Sequence, residues 1–84
     1  MTKLPQFAID YLEELKGQAA EIREKMGFVK ATADDIMISF CDDLTNTITN
    51  FNAELDEYFA DENNVITFMR AILNGYELEG KADD

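Results

Sequence analysis

The chain has 84 residues, a net charge of −11 and an apolar fraction of 46%. A chain of that length is one small domain, residues 1–84, whose core is marginal unless it is well packed or shared with a second subunit. The acid excess argues against direct binding to nucleic acid or anionic membrane, both of them polyanions, and points to basic partners or to solubility.

The first predicted element is a helix over about 5–26. Pro5 is tolerated at a helix start because the N–H it lacks would be unpaired there. Leu4, Ala8, Tyr11, Leu15, Ala19, Ile22 and Met26 recur at steps of three and four, which is the stripe of an amphipathic helix. Gly17 sits in the middle as a tolerated surface glycine, and Gly27 reads as a left-handed C-cap.

A second helix is predicted over 33–59. Thr32 followed by Asp35 resembles a capping box, and Asp34 and Asp35 suit the positive helix end. Ile36, Phe40, Leu44, Ile48, Phe51, Leu55 and Phe59 form its stripe. Phe40, Phe51, Tyr58 and Phe59 therefore read as core, while Tyr11 and Tyr76 read as edge residues with hydroxyls turned outward. Thr45 to Asn50 is a run of mediocre helix formers, so a kink or a β-hairpin built on Ile36–Cys41 and Thr47–Phe51 competes with the unbroken helix. A helix over 33–59 would be about 40 Å long, against a diameter near 30 Å for a compact chain of this size.

Asp61-Glu62-Asn63-Asn64 is a turn that can cap a third helix over 64–74, with Gly75 as its stop. A polar, frayed tail fills 77–84. The predicted fold is all-α: an elongated antiparallel helical hairpin of two long helices plus a short third one, with a homodimer covering the apolar ends.

Nothing in this pattern names a reaction, and no catalytic residue is expected. The chain has no histidine, and Gly17, Gly27, Gly75 and Gly80 are too scattered for a phosphate loop. No cofactor and no metal site are expected either. Asp42-Asp43 and Asp61-Glu62-Asn63-Asn64 lack the ligand spacing of a calcium loop, and one cysteine cannot build a zinc site. Cys41 reads as a small buried hydrophobe in a reducing compartment. With no signal-like start and no membrane-length apolar run, the expected location is cytoplasmic, that of the host cell if the protein is phage-encoded.

The candidate partner-binding residues are Asp34, Asp35, Asp42, Asp43, Glu54, Asp56, Glu57, Asp61 and Glu62. No lysine, arginine or histidine interrupts them between Ala31 and Met69. On one long helix they make a double row of negative charge. Glu54, Asp56 and Glu57 would crowd its C-terminal turns, where each costs about 0.3–1 kcal/mol against the dipole. Repeated violation of a local rule is a signal of function.

The stretch Arg70-Ala71-Ile72-Leu73-Asn74-Gly75-Tyr76-Glu77-Leu78-Glu79 resembles the Arg-Ala-x-x-x-Gly-Tyr-Glu-x-Glu segment of small acidic proteins from Gram-positive phages and prophages. The resemblance covers about twelve residues including Phe68 and Met69 and carries over no site residue. It implies a mobile-element origin, where acidic helical proteins include anti-restriction and anti-CRISPR inhibitors that mimic DNA. The expected function is therefore stoichiometric inhibition: the acidic face occupies the basic groove of a host nucleic-acid-binding defence protein. The alternative is a helical interaction or assembly module that binds through its apolar stripe, with the acids only solubilising.

Overall fold

A computed structural model describes residues 1–27, 32–45 and 51–80. Strand β1 (Thr2–Leu4) leads into α1 (Gln6–Lys25), followed by α2 (Ala33–Thr45), α3 (Ala53–Phe59), α4 (Glu62–Asn74) and strand β2 (Tyr76–Leu78). The protein is thus mostly helical, as its periodicity predicts, with one small parallel strand pair added.

α1 follows its stripe closely. Ala8, Tyr11, Leu12, Leu15 and Ala19 are buried along one side, with Arg23 and Lys25 in the last turn where cations suit the dipole. Gly27 has φ +86, the left-handed turn expected of it. The Thr32 capping box also forms: the Thr32 amide donates to Asp35 Oδ2 at 2.8 Å, and the Asp35 amide donates to Thr32 Oγ1 at 3.4 Å.

The single helix over 33–59 is replaced by two. α2 is described as far as Thr45, whose hydroxyl donates back to the Cys41 carbonyl at 3.0 Å. Asn52 then lies outside any helix, at φ −69 and ψ 170, and its side chain accepts from the Leu55 amide at 2.9 Å. Asn52 is therefore the N-cap of a new helix, and the physical reason is side-chain competition. Thr and Asn side chains bond to nearby backbone and offer it an alternative to the helical ladder. Residues 46–50, which hold most of the expected kink and of one arm of the competing hairpin, lie outside the described residues. The other half of that hairpin, Ile36–Cys41, is helical within α2. Without a 40 Å helix the elongated hairpin loses its second arm, and the protein is a flat slab of 41 × 34 × 17 Å.

Residues 77 and 78 are not frayed tail. Gly75 stops α4 with φ +92 and ψ 167 and turns the chain into β2. β2 pairs with β1 in parallel, Thr2 opposite Tyr76 and Leu4 opposite Leu78, and the Glu79 amide donates to the Leu4 carbonyl at 2.7 Å. Residues 81–84 lie outside the described residues.

The core is one cluster of rings and branched aliphatics. Phe40 and Phe68 are its largest fully buried side chains, with ring centroids 4.6 Å apart. Phe59 packs on both at 5.1 Å. Tyr11 is not the edge residue that its polarity suggests. It is buried, and its ring touches Phe40, Phe51, Phe59 and Phe68.

Two glycines give opposite expectations. At Gly75 the backbone occupies a region essentially restricted to glycine, so Gly75→Ala should destabilise by about 1–3 kcal/mol although its Cβ would meet nothing nearer than the Met1 terminus at 3.6 Å. At Gly17, inside α1 with open space around it, Gly17→Ala should stabilise by about 1 kcal/mol. Urea unfolding of both variants measures the two signs directly.

Candidate functional site

The break in the second helix reorganises the acids. Glu54 and Asp56 do not crowd a helix C-terminus; they stand in the first turn of α3, where the dipole favours them. Asp34 and Asp35 occupy the first turn of α2, and Glu62 that of α4. Asp61 is the N-cap of α4, accepting from the Asn63 amide at 2.9 Å. Three helix starts thus take in acids where the dipole favours them, and Glu57 alone of Glu54, Asp56 and Glu57 stays in a last turn, that of α3.

Two further acids are tied into the fold. Asp35 accepts from Arg23 Nε at 2.7 Å as well as from the Thr32 amide and hydroxyl. Asp43 accepts the Tyr11 hydroxyl at 2.5 Å across 32 residues of sequence. Asp42 and Glu57 are exposed, and their carboxylates have no hydrogen-bond or ion-pair partner among the described residues.

The structure gathers three of the nine candidates, Glu54, Glu57 and Asp61, around one open cleft. Its walls come from three elements: Phe7 at the start of α1, Glu54, Glu57 and Tyr58 on α3, and Asp61 and Asn64 at the start of α4. Phe7 and Tyr58 meet edge to face at 5.5 Å, and Asn64 Nδ2 donates to the Tyr58 carbonyl at 2.9 Å, which fixes the α3–α4 corner. Burial, followed by the charge of Glu79, raises the Tyr58 hydroxyl above its ordinary pKa. No cation lines the cleft. Aromatic faces beside carboxylates are the surroundings that a guanidinium or ammonium group favours. Phe7, Tyr58 and Asn64 are the lining residues that sequence reasoning misses, Tyr58 being read there as core, because only the tertiary fold brings α1 against α3 and α4.

The remaining candidates scatter. Asp34, Asp35, Asp42 and Asp43 stay on α2, and Asp56 and Glu62 lie outside the cleft lining. Cys41 is exposed rather than buried, because α2 turns Phe40 inward and its neighbour outward. Among the described residues no group of three or more His, Cys, Asp or Glu side chains is arranged to hold a metal ion, and no helix is long and apolar enough to cross a membrane. A scan against protein-family models gives no match, and searches of curated proteins and of solved structures give none either.

The two tethered acids predict how the fold responds to pH. The Arg23 guanidinium, then the Thr32 amide and hydroxyl, hold the Asp35 carboxyl down at about 2, against 3.8 for the free group. A depressed folded-state value contributes stability above pH 3.8, and that contribution is lost as pH falls from there toward 2. Asp35→Asn should therefore flatten the acid limb of the stability curve in this window, measured by thermal melts between pH 5 and pH 2. At the other end, burial and then Asp43 raise the Tyr11 hydroxyl well above the normal tyrosine range. Its contribution is complete below the free value of 10 and is lost as pH rises past it. Ultraviolet titration of the three tyrosines should accordingly leave Tyr11 un-ionised until the fold opens.

Proposed function

We propose that the protein is a stoichiometric protein-binding inhibitor that presents its acidic surface to the basic, nucleic-acid-binding groove of a host defence protein of the anti-CRISPR or anti-restriction target class. The observation that carries this reading is charge left unspent by folding. Among the sixteen acids of the described residues, ion pairs take up Asp35 and Glu21, so most of that negative charge faces outward. Carboxylates then stand in for phosphates, with fast electrostatic steering and an affinity that falls with salt. The Phe7–Tyr58 cleft adds a specific receptor for one arginine or lysine side chain of that groove.

The reading gives different weight to different acids. Asp35, Asp43 and Asp61 serve the fold, so their loss would confuse stability with binding. Asp42 and Glu57 are the clean reporters. Asp42→Lys and Glu57→Lys should each leave the circular dichroism spectrum unchanged. Together they should weaken capture of a basic partner from host lysate by at least about tenfold, since like-charge contacts cost several kcal/mol. Duplex DNA should release what the unmodified protein captures. Unchanged capture by the double variant, or capture indifferent to DNA, would leave the acids with solubility alone.

A further inference from the structure

The α1 stripe runs past the core it serves. Ala19 is buried, but the next two members, Ile22 and Met26, are 54% and 66% exposed. Ile38 on α2 is 60% exposed and faces the same space. These three side chains and Ala19 line a single groove between α1 and α2, with Arg23, Asp35, Ser39 and Asp42 along it. The apolar spacing, Ile22 to Met26 on one wall and Ile38 on the other, is that of a helix–helix contact with one helix missing.

We propose that this groove seats a basic amphipathic helix of a partner protein, with its apolar stripe against Ile22, Met26 and Ile38 and its Lys/Arg flank toward Asp42. Charge complementarity selects the occupant. A second copy of this chain would bring another −11 to the same place, and like-signed fields oppose association. Arg23 and Asp35 are bonded to each other at 2.7 Å, so the pair adds no net charge to the groove. Asp42 is the lining acid with no side-chain partner among the described residues, and it sets the local sign. Helix-in-groove docking lays the apolar anchors of the incoming helix into a trough of this kind, here floored by Ala19 and walled by Ile22, Met26 and Ile38. The inference takes the sign of the partner's charge from the proposed function and adds the element that it presents.

The test uses the intact protein and two synthetic Leu/Lys peptides of identical composition, one with leucines at helical spacing and one scrambled. Calorimetry at about 0.05 M and about 0.5 M salt separates charge from apolar contact, because the screening length shrinks to a few ångströms at the higher value. At high salt the amphipathic peptide should bind at least about tenfold more tightly than the scrambled one, because it buries at least one additional leucine. Its addition should shift the Ile22 and Ile38 methyl resonances, and Ile38→Glu or Ile22→Glu, both at exposed positions, should abolish the advantage. Equal affinities at both salt levels would overturn the groove proposal while leaving the basic-partner reading standing. Failure of both peptides at low salt would overturn both. Sedimentation showing that the protein alone is a dimer, and that Ile38→Glu dissociates it, would assign the groove to a second copy instead.

Discussion

The fold depends on one buried ring that carries a polar atom. Tyr11 packs on Phe40, Phe51, Phe59 and Phe68 together, so it joins α1 to α2, α3 and α4 at a single point. Its hydroxyl cannot be buried without a partner, and Asp43 supplies one at 2.5 Å. The carboxylate is half-exposed, so it keeps water on one side and escapes the cost of a buried charge. One hydrogen bond thus satisfies the polar end of the residue that organises the apolar core. It also fixes the rotation of α2 against α1, which decides that Phe40 points inward while Cys41 and Asp42 point out.

That rotation has an electrostatic consequence. Eighteen acids on 84 residues repel one another, and a chain this small has little core with which to offset the repulsion. Breaking the helical segment at Asn52 creates an extra helix N-terminus, and a third follows at Asp61. Each start takes in carboxylates as caps or first-turn residues. Asp34 and Asp35, Glu54 and Asp56, and Asp61 and Glu62 are all placed where backbone N–H groups point at them. An unbroken helix over 33–59, followed by α4, would have offered two positive ends in place of three. The short helices are therefore consistent with the acid content of the segment as well as with its run of Thr and Asn.

What the sequence reveals follows the range of the interaction. The course of α1, the turn at Gly27, the Thr32 box and the stop of α4 at Gly75 all come from contacts within five residues, and all are legible; α4 itself starts at Glu62, inside the 61–64 stretch that the sequence reads as a turn. The division of the second helix is half legible: Thr45 to Asn50 marks the weak place, but a continuous stripe from Ile36 to Phe59 masks it. The stripe persists because α2 and α3 pack on the same cluster, so both must be apolar on the side that meets it. The parallel pairing of Thr2–Leu4 with Tyr76–Leu78 is invisible. Each strand has three residues, the partners lie more than seventy residues apart, and three residues show no usable alternation. The Phe7–Tyr58 cleft is hidden for the same reason, since its walls are brought together only by the fold.

The same geometry explains why apolar side chains remain outside. A slab 17 Å thick is less than two helix diameters deep, so few residues have neighbours on every side. The strand pair and the α4 helix cover the Leu4 end of α1, where Leu4, Ala8 and Leu12 are fully buried. At the other end, among the described residues, α2 lines a groove with α1, and Ile22, Met26 and Ile38 stay exposed. A neutral protein with that end uncovered would risk self-association through it. On the proposed reading, a charge of −11 disfavours pairing with another copy and favours a partner of opposite charge at that end. Charge and shape then act in sequence on the proposed reading: the acids attract and orient a basic protein at long range, and the open end of α1 supplies apolar contact at short range.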